Sequence, residues 1–125
     1  MKSLKKQIVA GVLSGCILFP AISAGAMTLY VDGTLYTRNP LTSGPQGYAW
    51  TMGYKTITAK VTVSKSGETT KSLSASKNAG TSGSSVETDW LTGPTYSSAG
   101  TTFKSTHTGY SYYGVYETLT ASKSF

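Results

Sequence analysis

Between Thr56 and Ser64 the chain alternates strictly. Ile57, Ala59, Val61 and Val63 fall on one parity, and Thr56, Thr58, Lys60, Thr62 and Ser64 on the other. A period of two marks a strand with one buried and one wet face. The return strand carries Leu73 and Ala75. A two-residue Ser66-Gly67 loop would set Leu73 opposite Lys60, on the solvent face. A three-residue Lys65-Ser66-Gly67 loop instead pairs Leu73 with Ala59 and Ala75 with Ile57, and gives Gly67 the loop position that needs left-handed backbone. The second register is the one predicted.

The remaining elements are shorter. Tyr30–Tyr36 holds Asp32-Gly33 between apolar flanks, which suits a type I′ hairpin turn or a bulge within one long strand. Residues 38–47, with Pro40, Gly44 and Pro45, read as loop, and the Gly/Ser/Thr-rich stretch 78–85 reads as a flexible crossing loop. Val86–Leu91 is a short strand with Glu87 and Asp89 outward and Trp90 on the opposite parity. Thr101–Thr108 and Tyr110–Ala121 form a last pair of strands around Gly109. On the final strand Tyr113, Val115, Leu119 and Ala121 share one face, and Tyr110, Tyr112, Gly114, Tyr116, Thr118 and Thr120 the other. No window sustains a helical period. The expected fold is all-β, a small antiparallel β-sandwich of six to eight short strands, with a small closed β-barrel as the alternative. An outer-membrane barrel is discounted, because Glu117 and Lys123 would face lipid and the chain is too short for eight spanning strands.

Composition supports the strand reading: 27–125 contains 20 Thr, 15 Ser and 9 Tyr, residue types that favour pleated surfaces or turns over helices. The first 26 residues differ. Lys2, Lys5 and Lys6 precede a mostly apolar stretch, Ile8–Ile22, and Ala24-Gly25-Ala26 offers small residues for signal peptidase. The expectation is a cleaved signal peptide (1–26) followed by one all-β domain (27–125), secreted to the exterior. An alternative lies in Leu13-Ser14-Gly15-Cys16, which resembles a lipobox and would make the product a surface lipoprotein lipidated on Cys16. An uncleaved span is disfavoured, since Ile8–Ala26 is barely long enough and is diluted by Gly and Ser, so no stable membrane span is expected in the mature chain. Without the leader the net charge of +6 falls to +3 and no cysteine remains. The remaining lysines are scattered among hydroxyls without a basic stripe, so nucleic acid is not an expected partner.

Candidate chemistry is sparse. His107 is the only histidine and no G-x-S-x-G elbow occurs, so a nucleophile, base and orienting group are not available together; His107 reads as a partly buried structural residue. Glu87 and Asp89 lie about 7 Å apart on one strand face, which reads as solvated surface. The chain is expected to be no enzyme, with no cofactor and no metal site. The informative residues are aromatic. Tyr110, Tyr112 and Tyr116 share a face on which Gly114 leaves the rings uncovered, and Gly47–Tyr54 forms a second Gly/aromatic cluster around Trp50. Flat rings with polar tips bind sugars and protein surfaces, and also pack across strands.

An export signal, a cysteine-free Ser/Thr/Gly-rich β domain and a tyrosine-rich final strand together resemble the small secreted proteins of Gram-positive bacteria. The Thr-alternating strand Thr56–Val63 and the Tyr112-Tyr113 pair are similar in general appearance to bacteriocins of the lactococcin 972 type. The Gly-Gly-x-Trp opening and early Tyr/His-rich stretch of that family are absent, and no functional residue is carried over. The expected function is non-enzymatic binding of a cell-surface glycan or protein through Tyr110, Tyr112, Tyr116 and Trp50. The alternative is a secreted bacteriocin or toxin acting on the envelope of neighbouring bacteria, its +3 charge aiding approach to anionic surfaces.

Overall fold

The computed structural model describes residues 28–125; the expected leader and Cys16 lie outside them. The described residues form six strands and no helix: β1 (Asp32–Arg38), β2 (Gln46–Lys65), β3 (Lys71–Glu87), β4 (Leu91–Thr92), β5 (Thr101–Tyr110) and β6 (Tyr116–Ser124). All pair antiparallel within one sheet, and the protein is all-β as expected.

β2 is the spine. One of its edges carries β3 along most of its length and β4 at its start. Its other edge carries β1 on the first half and β5 on the second, with β6 outside β5. Between the halves the register slips on both edges, around Tyr54–Thr56. Lys55 takes a left-handed φ of 60°, and across from it Gly80 and Gly83 on β3 have φ of 65° and 84°. Bulges of this kind bend a strand and raise its twist. The bend turns the sheet back on itself, so that β1 and the first half of β2 lie against β5 and β6. The layering expected of a sandwich is thereby met by two leaves of one curled sheet. Among the described residues no ladder joins β1 to β6, so the barrel does not close. That seam is bridged by single hydrogen bonds: Val31 N–H to Glu117 Oε1 at 3.0 Å and Tyr112 N–H to Leu29 C=O at 2.8 Å.

The core lies between the leaves. Val31 just before β1, Leu35 on β1, Ala49, Ala59, Val61 and Val63 on β2, Leu91, Phe103, Leu119 and Ala121 form one buried cluster, and Ile57 is fully buried beside it. Each large aliphatic or aromatic side chain enclosed here stabilises the fold by about 1.5–3 kcal/mol. The alternation read from Ile57–Val63 is the pattern observed.

Several local expectations are corrected. Asp32-Gly33 makes no turn; both residues lie inside β1. The glycine is needed for close approach, because a Cβ on Gly33 would fall 2.2 Å from Cγ of His107 in the facing leaf. In the β2–β3 hairpin Leu73 pairs with Val61 and Ala75 with Ala59, two residues from the predicted register. A slip of two keeps each side chain on its face. Gly67, at φ 83°, sits third in a turn closed by Glu68 N–H to Lys65 C=O. The predicted crossing loop 78–85 is strand, the latter part of the 17-residue β3. Val86 and Glu87 end β3, while Leu91-Thr92 is a separate short strand. The reversal expected at Gly109 occurs instead at 111–115, and Gly109 stays in β5, packed against Ile57. The strands are not uniformly short either, since β2 runs 20 residues.

Candidate aromatic binding surface

The bend in β2 and the β5–β6 turn lie at the same end of the molecule, because Tyr54 pairs with Tyr110. The turn is built by Ser111. Its N–H donates to Val115 C=O, its C=O accepts from Gly114 N–H, and its buried hydroxyl accepts from the N–H groups of Tyr113 and Val115. Gly114 supplies the left-handed position at φ 85°. This local chemistry throws the side chains of Tyr112, Tyr113 and Val115 outward.

The three predicted tyrosines are brought together, though not as neighbours on one strand. Tyr110 ends β5 and Tyr116 begins β6; they face each other across the hairpin with ring centroids 5.2 Å apart, edge to face. Tyr112 rides on the turn. Its ring meets Tyr54 at 5.7 Å and Tyr113 at 5.5 Å, and Tyr113 in turn meets Tyr30 at 6.1 Å. The Tyr54 hydroxyl donates to Thr28 C=O. Lys55 Nζ stands 5.1 Å from the centre of the Tyr110 ring. Six large side chains at this apex remain exposed: Leu29 (45%), Tyr30 (47%), Tyr112 (60%), Tyr113 (61%), Val115 (56%) and Tyr116 (57%). Sequence reasoning missed Leu29, Tyr30, Tyr54, Tyr113, Val115 and Lys55. The available signal was the Ser-x-x-Gly spacing of Ser111 and Gly114, which marks a turn and takes Tyr113 and Val115 off the strand.

Trp50 belongs elsewhere. It sits on the outer face of the first leaf, between Thr34 on β1 and Glu87 on β3, four residues along β2 from Tyr54, roughly 13 Å at the strand rise. Beside it Tyr36 stacks on Tyr48 at 4.9 Å, and Tyr48 meets Trp90 edge-on at 4.6 Å. The Arg38 guanidinium lies 3.8 Å from the centre of a Trp90 ring, while its Nε donates to Gln46 Oε1 at 2.7 Å. Burial pushes the Tyr36 and Tyr48 hydroxyls upward in pKa, and the negative charge of Glu87 adds to both shifts. Tyr48 is buried and Tyr36 and Trp90 are partly buried, and these mutually packed rings cover the leaf.

His107 is enclosed completely. Nδ1 shares a hydrogen bond with the Thr51 hydroxyl and Nε2 one with the Ser105 hydroxyl, each 2.8 Å long. Burial lowers its pKa to about 4, so the ring is neutral near pH 7. It lies between the leaves, more deeply buried than expected. Glu87 and Asp89 are exposed, and the Glu117 carboxylate accepts the Val31 N–H. Among the described residues no three His, Cys, Asp or Glu side chains gather, and no helix is long and apolar enough to cross a membrane.

The chain matches no protein-family model, and no curated protein or solved structure is significantly similar to it.

Proposed function

We propose that this chain is an exported, non-enzymatic binding domain that attaches to a cell-surface component through the tyrosine apex around Tyr110, Tyr112 and Tyr116. The observation that carries the reading is the concentration of six exposed aromatic and aliphatic side chains at one end of a 98-residue fold whose other large apolar groups are mostly enclosed. Contiguous bare apolar surface of this kind marks interaction sites on soluble domains. Tyrosine is also well suited to such contact, because its ring offers area at small entropic cost and its hydroxyl tolerates water. Trp50, four residues along β2 from Tyr54, is set apart from this site.

The test is retention. The Tyr112→Ala/Tyr116→Ala protein should bind its target cells or their walls at least about tenfold more weakly, the loss expected when two central aromatic contacts are truncated. Its melting temperature should shift by no more than a few degrees, since both rings are more than half exposed. Unchanged retention would overturn the assignment of the site.

A further inference from the structure

We infer that the tyrosine apex is a membrane-contacting tip, seating in the headgroup layer of a lipid bilayer. This rests on the binding reading above and names its surface component as lipid. Three observations favour a bilayer over a sugar or a protein pocket.

The first is composition. Tyr30, Tyr112, Tyr113 and Tyr116 are exposed together with the aliphatic Leu29 and Val115. Rings with hydroxyl ends collect at the boundary between water and acyl chains, and aliphatic side chains reach just below it. No charged side chain occurs in 28–31 or 110–116. The flanking charges are also suitable. Lys55 stands against Tyr110, where an anionic headgroup would meet it, and the Glu117 carboxylate is engaged by Val31 N–H.

The second is shape. The apex is a turn: a Cβ added to Gly114 would meet nothing within 4 Å. Sites for small ligands are concave, whereas the space around Gly114 at this turn is open. A soft interfacial layer accepts a projecting tip without a cradle.

The third is the path of the chain. Leu29 is pinned to the apex by the bond from Tyr112 N–H, and residues 1–27, with the apolar stretch Ile8–Ile22, join the fold there. A form of the protein that keeps this stretch would carry it on the same end of the fold as the tyrosines.

The experiment uses the protein in the form recovered from its host and vesicles of phosphatidylcholine mixed with phosphatidylglycerol. Co-sedimentation should be strong for the wild type and fall at least about tenfold for Tyr112→Ala/Tyr113→Ala. A Tyr113→Trp variant gives a second readout. Bromine-labelled acyl chains should quench the emission of the new indole, while Trp50 and Trp90, on the first leaf, stay unquenched. Vesicle binding that ignores the double substitution, or an indole at 113 that bromine leaves bright, overturns the inference. Absence of vesicle binding alongside tyrosine-dependent retention on cells also overturns it, and leaves the binding reading standing with a glycan or protein as the target. Retention on cells that ignores the tyrosines overturns both.

Discussion

His107 shows how much one position can hold. Its ring fills the space that Gly33 leaves on the opposite leaf, and both nitrogens are satisfied by hydroxyls. Burial lowers its pKa to about 4, against 6.5 for the free side chain. In the unfolded chain it therefore takes up a proton first. The stability tied to its neutral form is complete above pH 6.5, falls as the pH drops from 6.5 to 4, and is lost below that. The difference corresponds to about 3 kcal/mol. Urea midpoints of the wild type should drop over that interval, and those of His107→Gln should drop less, the remaining slope coming from carboxylates. Parallel slopes would show that the ring is not held neutral. The same pair explains a misreading of the sequence. Asp-Gly is a strong turn signal when glycine provides positive φ, but here glycine provides room for a ring more than seventy residues away.

At the scale of elements, β2 decides the architecture through Lys55. A non-glycine residue at φ 60° costs roughly 1–2 kcal/mol relative to ordinary strand geometry. Lys55→Gly should therefore hold or slightly raise the melting temperature, whereas Lys55→Ile, β-branched at a left-handed position, should lower it by several degrees. Equal melting temperatures for the two would show that the bulge relaxes without cost. What was legible in the sequence follows the same physics. Ile57–Val63 could be read because one of its faces is packed and the other wet. The latter part of β3 could not, since it runs along an edge with Ser, Gly and Thr, and strand pairing without apolar burial leaves no periodic trace. The three tyrosines were legible as residue types. Their arrangement was not, because it depends on a hydroxyl-built turn at Ser111 that moves the reversal past Gly109. Trp50 resembles them in composition, but the register sets it four residues along β2 from Tyr54, away from the apex.

At the scale of the whole molecule, neither leaf is independent. The spine passes through both, the core is shared, and the only cysteine in the sequence precedes the described fold. Unfolding should therefore be a single cooperative transition. Tryptophan emission, which reports Trp50 and Trp90 on the first leaf, and far-ultraviolet circular dichroism, which reports every strand, should give coincident denaturation curves. Separated midpoints would mean that the bend uncouples the leaves. The shared spine also sets a schedule for a chain that emerges N-terminus first. The second half of β2 presents its inner edge as soon as it appears, yet its partner there, β5, begins only at Thr101, 36 residues after Lys65. During that interval β3 can pair one edge, but the apolar face of Ile57, Val61 and Val63 has no Phe103 to cover it, and an uncovered strand edge invites pairing with other chains. Lys60 on the opposite parity, with the hydroxyls around it, charges and wets the one face that is complete from the start. Newborn copies of this protein thus pass through a period of vulnerability whose length is written into the order of its strands, and which closes only when the last hairpin arrives.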